Sequence, residues 1–168
     1  MQVHRKMVGL VAGASLAAGA LLAVTPAQAD DAARTVGAAD WEGGDKTLRT
    51  PSDPVGADVG VLATSPQISP AAERIRYVTS NTDYTCASGR LCTRVWDPVV
   101  KKWKVFDLWV CKTYSLSYWG GTGGYVNNQT KGTKAIFYKE NGTQHGSTTA
   151  PATSNSYNWN PVWKIKNC

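Results

Sequence analysis

Leu91-Cys-Thr-Arg-Val-Trp96-Asp97-Pro98-Val-Val-Lys101-Lys102-Trp103-Lys-Val-Phe-Asp107-Leu-Trp-Val110 decides the fold class. Residues 91–96 form one apolar-rich run, Asp97-Pro98 makes a turn, and residues 102–110 form a second run. In the second run Trp103, Val105 and Trp109 alternate onto one face, and Phe106, Leu108 and Val110 onto the other. A strand apolar on both faces is covered on both sides, as in a sandwich. The pattern continues downstream. Strands are expected at 125–128, 133–139 and 162–167, and Asn141-Gly142 is a strong hairpin signal. Residues 120–124 and 147–155 read as loops. From this stretch outward the chain is all-β.

The 168 residues divide by composition near Tyr84. Residues 30–85 hold nine acidic and five basic side chains; residues 86–168 hold three acidic and eleven basic. Thirteen of the sixteen aromatic residues and all four cysteines lie after Thr85. A core is therefore expected only in 86–168. Residues 30–85, broken by repeated Pro and Gly, read as an acidic, largely disordered arm. Three islands stand out in it. They are Trp41, a strand-like run at 59–63, and residues 70–78, where Ser69 and Pro70 suit a helix start ahead of Ile75 and Tyr77. The arm reads equally as a linker or propeptide and as a peptide that orders on a partner, or it folds back on its own basic domain.

Ahead of the arm, Arg5 and Lys6, an uncharged apolar run at 7–24 and Ala27-Gln28-Ala29 form a secretory signal at 1–29. The expected location is secreted and extracellular. A transmembrane anchor is the competing reading, and the alanine-rich run with its small-residue exit disfavours it. In an exported chain, Cys86, Cys92, Cys111 and Cys168 suit two disulfides, which a small domain needs. Their spacing lacks the close pairs of a zinc site.

The residue inventory argues against catalysis. His145 sits among Gly, Ser and Thr, without the buried carboxylate that a nucleophile-activating triad requires. Asp97 and Glu140 read as turn residues. Asp107, interrupting an apolar strand, is expected to pair with Arg94. No catalytic residue, cofactor or metal is expected. Lys101, Lys102 and Lys104 with nearby aromatics raise nucleic acid, which an exported protein rarely meets; attraction to acidic surfaces fits better. Tyr118, Trp119 and Trp159 raise carbohydrate, although aromatics in so small a domain go mainly to the core.

Cys86-Ala-Ser-Gly-Arg-Leu-Cys92, the aromatic and glycine-rich middle and Tyr125-Val-Asn-Asn128 resemble small actinobacterial exported proteins related to single-domain βγ-crystallins. Tyr114-Ser-Leu-Ser-Tyr-Trp119-Gly-Gly121 is similar to the aromatic-x4-aromatic-x-Gly signature of their Greek keys, in which the glycine permits a positive φ. The resemblance implies a disulfide-stapled Greek-key sandwich. It also implies a Cys86–Cys92 bridge, with Cys111–Cys168 as the other; four cysteines allow three pairings. Asn127-Asn128-Gln129-Thr130 is similar to the family's calcium motif but has no carboxylate, so no calcium is expected.

By layout, an arm and a domain holding two partners resemble the adaptor subunits of umbrella toxin particles. The resemblance implies a non-catalytic interaction module bridging co-secreted proteins, without nucleic acid or membrane insertion. Trp41, Val59, Val61, Leu62, Ile75, Tyr77, Arg90 and Trp119 are the expected partner-binding residues. The same class contains peptidase inhibitors, for which 88–90 and 147–155 are candidate loops, and killer-toxin-like antimicrobials.

Overall fold

The computed structural model describes residues 43–54 and 63–168. The expected signal at 1–29, Trp41 and the run at 59–63, apart from Ala63, lie outside the described residues.

The opening stretch forms the expected hairpin. β5 (Arg90–Asp97) pairs antiparallel with β6 (Lys102–Leu108), setting Trp96 opposite Trp103. Asp97 makes the turn, its Oδ1 accepting the Val99 and Val100 N–H groups at 3.0 and 3.4 Å. β8 (Thr122–Asn128) flanks β5, and β3 (Arg74–Val78) flanks β6. β11 (Ala152–Asn158) completes a five-stranded antiparallel sheet ordered β11-β8-β5-β6-β3.

A second five-stranded antiparallel sheet is ordered β10-β9-β12-β7-β2. Its strands are β2 (Gln67–Ser69), β7 (Thr113–Ser117), β9 (Lys134–Tyr138), β10 (Gln144–Thr149) and β12 (Lys164–Asn167). β1 (Lys46–Arg49) and β4 (Asp83–Cys86) form a separate two-stranded ribbon. Disulfides join Cys86 to Cys92 and Cys111 to Cys168.

The two large sheets enclose Leu91, Val95, Phe106, Leu108, Phe137, Trp159 and Ile165. Trp119 stacks on Phe106 at 4.8 Å and meets Trp159 edge-on at 5.2 Å. On the other face of the β5–β6 hairpin, Val105 and Cys92, with Val126 of β8, pack against Tyr84 and Cys86 of the ribbon, and Leu48 lies alongside. The two-faced apolar pattern of β6 therefore has its cause: sheet on one side, ribbon on the other.

Five readings are corrected. The described parts of 30–85 are not a disordered arm but supply β1 to β4. Their sparse apolar residues, Leu48, Ile68, Val78 and Tyr84, fall on the two cores, and pairing with neighbouring strands supplies what composition lacks. Residues 70–78 hold strand β3 rather than a helix, because Ile75 and Tyr77 alternate with Arg74 and Arg76 and pair along β6. So short a helix has little stability without packing. Residues 147–155 belong mostly to β10 and β11, the Thr/Ser-rich sequence being suited to strands at sheet edges.

Gly123 and Gly124 lie inside β8, where a Cβ at Gly123 would stand 2.1 Å from the Arg94 carbonyl oxygen. Finally, β6 ends at Leu108. The Glu73 carboxylate accepts the Trp109 N–H, and Trp109 and Val110 turn outward.

Candidate functional site

The polar residues that interrupt the apolar pattern are committed to internal contacts. Asp107, 1% exposed, accepts Arg76 at 2.6 Å and Arg90 at 3.3 Å, not Arg94. Arg94 is equally buried, but it turns across Gly124 to donate to the Asn155 carbonyl at 3.1 Å, with its guanidinium 5.2 Å from the Trp103 ring. Buried Asp97 faces Lys104 at 3.8 Å. Asn127 and Asn128 donate to backbone carbonyls of Thr133, Thr148, Gly44 and Cys86. Their amides thus hold neighbouring strands and loops together.

His145 is exposed, and the ring beside it is Tyr157 at 6.4 Å. Burial, with a smaller contribution from Tyr125, pushes the Tyr157 hydroxyl up to about 12. Among the described residues no three His, Cys, Asp or Glu side chains group closely enough to hold a metal ion.

Glu73 is a contact that sequence reasoning missed. Its carboxylate accepts the Tyr114 hydroxyl at 2.7 Å, Lys112 at 2.7 Å and the Trp109 N–H at 3.0 Å, locking the start of β3 to the β6–β7 connection. Burial pushes the Glu73 carboxyl upward, but the hydrogen bonds from Lys112, Tyr114 and Trp109 outweigh it and hold the group below its ordinary 4.5. Burial, and then Glu73 itself, push the Tyr114 hydroxyl upward. A carboxyl depressed by folding stabilises the native state above its unfolded pKa, and that contribution is lost as pH falls through the folded value. Glu73→Gln is expected to cost about 1–2 kcal/mol near neutral pH. In thermal melts, the gap between wild type and this variant should narrow as pH drops below 4.5.

The expected partner-binding residues separate by environment. Trp41, Val59, Val61 and Leu62 lie outside the described residues. Trp119 is 8% exposed and donates its indole N–H to the Gln67 carbonyl at 2.8 Å, so it is a core residue. Trp159 is fully buried, which removes both tryptophans from any carbohydrate platform. Arg90 lies half-buried over the Trp109 ring at 4.2 Å while pairing with Asp107. Ile75 and Tyr77 remain at the surface, 45% and 47% exposed, and both sit on β3.

β3 is one of four outer strands in the two large sheets, and the four differ. Edge strands present unpaired backbone groups, and proteins usually blunt them. β2 has three residues. β10 carries a register shift between Gln144 and Gly146, and β11 one between Ser154 and Tyr157. Such bulges twist an edge away from pairing. β3 pairs five consecutive residues with β6 without a shift, and among the described residues nothing pairs with its other side.

The flanks of β3 are complementary in character. Ile75 and Tyr77 project on one side, with Lys104 Nζ 5.5 Å from the Tyr77 ring. On the other side an open, mainly polar groove runs between β3 and the ribbon, bordered by Arg74, Arg76, Asp45 and Asp83. Arg76 is drawn back onto Asp107, which leaves Arg74 as the exposed arginine of the strand. No family model, curated protein or solved structure matches the chain.

Proposed function

We propose that this protein is a secreted, non-catalytic interaction module that takes an extended segment of a partner protein onto β3. The observation that carries this reading is the contrast between β3 and the other three outer strands. β3 is regular, unbulged and flanked by exposed Ile75 and Tyr77. An added strand gains affinity from main-chain hydrogen bonds and specificity from alternate side chains. Its apolar residues would meet Ile75 and Tyr77, and its charged ones Arg74, Asp45 and Asp83.

On this reading the protein is an adaptor in an antagonistic, antibacterial complex of co-secreted subunits. The crystallin-like Greek key belongs to the same proposal. Its support is the aromatic-glycine signature, in which Trp119 is buried and Gly121 takes a φ of 69°. The peptidase-inhibitor reading has less behind it. Within 88–90 only Ser88 and Gly89 are exposed, and residues 147–155 form sheet edges. For the killer-toxin-like reading the fold adds no specific observation.

The test is capture of co-secreted proteins from culture supernatant by tagged wild type and by the double variant Ile75→Lys, Tyr77→Lys. Both residues are exposed, so the fold should be retained, and lysines on an edge oppose strand pairing. Wild type is expected to retain a defined partner, with binding at least about tenfold weaker in the variant. Equal capture by both would remove β3 from the account.

A further inference from the structure

The outer face of the β10-β9-β12-β7-β2 sheet has a chemistry that the β3 reading does not use. The opposite sheet is capped by the β1–β4 ribbon. On this sheet the outward side chains, including Lys134, Lys164, Lys166, Thr113 and Ser115, are exposed. Its five strands contain no Asp or Glu.

Register places the lysines in one connected track. Lys164 stands opposite Tyr138 and Ser115, and Lys166 opposite Ile136 and Thr113. Lys134, two residues before Ile136 on β9, is diagonal to Lys166. Lys164 and Lys166 share a strand face, so they repeat at roughly 6.8 Å.

The charge on this face is uncompensated. The buried and half-buried bases Lys104, Lys112, Arg76 and Arg90, by contrast, are matched: Lys104 faces Asp97, Lys112 faces Glu73, and Arg76 and Arg90 face Asp107. Among the described residues Lys134, Lys164 and Lys166 form no ion pair. Of the three acidic side chains after Thr85, Asp97 and Asp107 are buried. The third, Glu140, lies at one end of the face, lining an open cleft with Trp163, Pro161, Lys139 and Asn141. Trp163, immediately before Lys164, is 45% exposed.

We infer that this face binds an anionic glycan, a sugar polymer carrying carboxylate or phosphate groups. The lysine track supplies long-range attraction and periodic charge contacts. The hydroxyls of β7 and β10 donate and accept hydrogen bonds, as sugar hydroxyls require. Trp163 and Pro161 offer an apolar wall for a sugar ring at the end of the track.

Other polyanions use these features less completely. A membrane surface calls for projecting apolar side chains beside the lysines, whereas Ile136 and Tyr138 are only partly exposed. Single-stranded nucleic acid calls for several stacking aromatics along the groove, and Tyr138 is the only aromatic projecting from the outer face of these strands.

The test is retention of the intact protein on immobilised polygalacturonate and on a phosphorylated mannan. Dextran, poly-glutamate, duplex DNA and anionic phospholipid vesicles are the comparison ligands. Retention is expected on one or both charged glycans and not on dextran, weakening as salt rises. The triple variant Lys134→Glu, Lys164→Glu, Lys166→Glu should bind roughly 100-fold more weakly. Trp163→Ala should weaken glycan retention while leaving any residual binding to poly-glutamate unchanged. Preference for the carboxylated or the phosphorylated polymer identifies the anion.

Absence of retention on both charged glycans would overturn the inference. So would equal or tighter binding to poly-glutamate, DNA or vesicles, or a triple variant that binds like wild type. Capture of a protein partner through β3 should survive the triple variant, which separates this inference from the one before it.

Discussion

Asp107→Ala is expected to destabilise the protein by about 3 kcal/mol or more, because it leaves two guanidinium groups without their counter-charge. Asp107 is 1% exposed, and it receives Arg76 from β3 and Arg90 from β5. Its gain from these pairs is offset by the cost of burying the carboxylate, so the pairs are no measure of net stabilisation. Removing one member is different, since the remaining charges keep their desolvation cost and lose their partner.

Arg76 and Arg90 have side chains 17% and 26% exposed, which gives them some access to water and places the effect at the low end of that range. Asp107→Asn should fall between wild type and alanine, since it keeps a hydrogen-bond acceptor without the charge. Urea unfolding of the three proteins measures the series. A loss in Asp107→Ala no larger than that of an exposed substitution would show that the pairs carry no such weight. Loss of Asp107 should also release Arg76 from the sheet and place a second free charge on β3, weakening partner capture.

Gly123→Ala is expected to cost about 3 kcal/mol or more, lowering the melting temperature by roughly 10 °C or more. An added Cβ would lie 2.1 Å from the Arg94 carbonyl oxygen and 2.5 Å from Trp159 Nε1. Those two atoms are themselves hydrogen-bonded at 2.9 Å, joining β5 to the residue that follows β11. The methyl group must therefore move backbone or break that bond. Thr122→Ala, one residue away and exposed, is the control and should change stability by no more than about 0.5 kcal/mol. Equal melting temperatures for the two variants would contradict the close approach.

What could be read in advance follows from where the determining contacts lie. The β5–β6 hairpin was legible because its alternation is dense on both faces and Asp97-Pro98 marks the turn within the same stretch. Asn141-Gly142 announced the β9–β10 hairpin for the same local reason, and Gly142 takes the positive φ that such turns use. The two disulfide pairings match what the resemblance implied.

β3 was obscured by context. Arg-Ile-Arg-Tyr-Val alternates as a strand should, but Ser69 and Pro70 ahead of it read as a helix start. Its residues pair with partners 25 to 33 positions downstream. The partners of Asp107 were undecidable locally, because Arg90 and Arg94 are both diagonal neighbours across the β5–β6 register. Gly124 decides between them by opening the space into which Arg94 turns. Trp119 reads as a partner-binding residue in the sequence because its burial depends on Phe106 and on the carbonyl of Gln67, a residue fifty-two positions earlier.

The free edge of β3 is the feature on which the functional account stands, and amide hydrogen exchange reads it directly. In the protein alone, amides across 74–78 should alternate, those bonded to β6 protected and those facing outward exchanging quickly. With its partner bound, the outward amides should become protected as well. Uniform protection of β3 in the protein alone, or outward amides that still exchange quickly in the complex, would contradict the account.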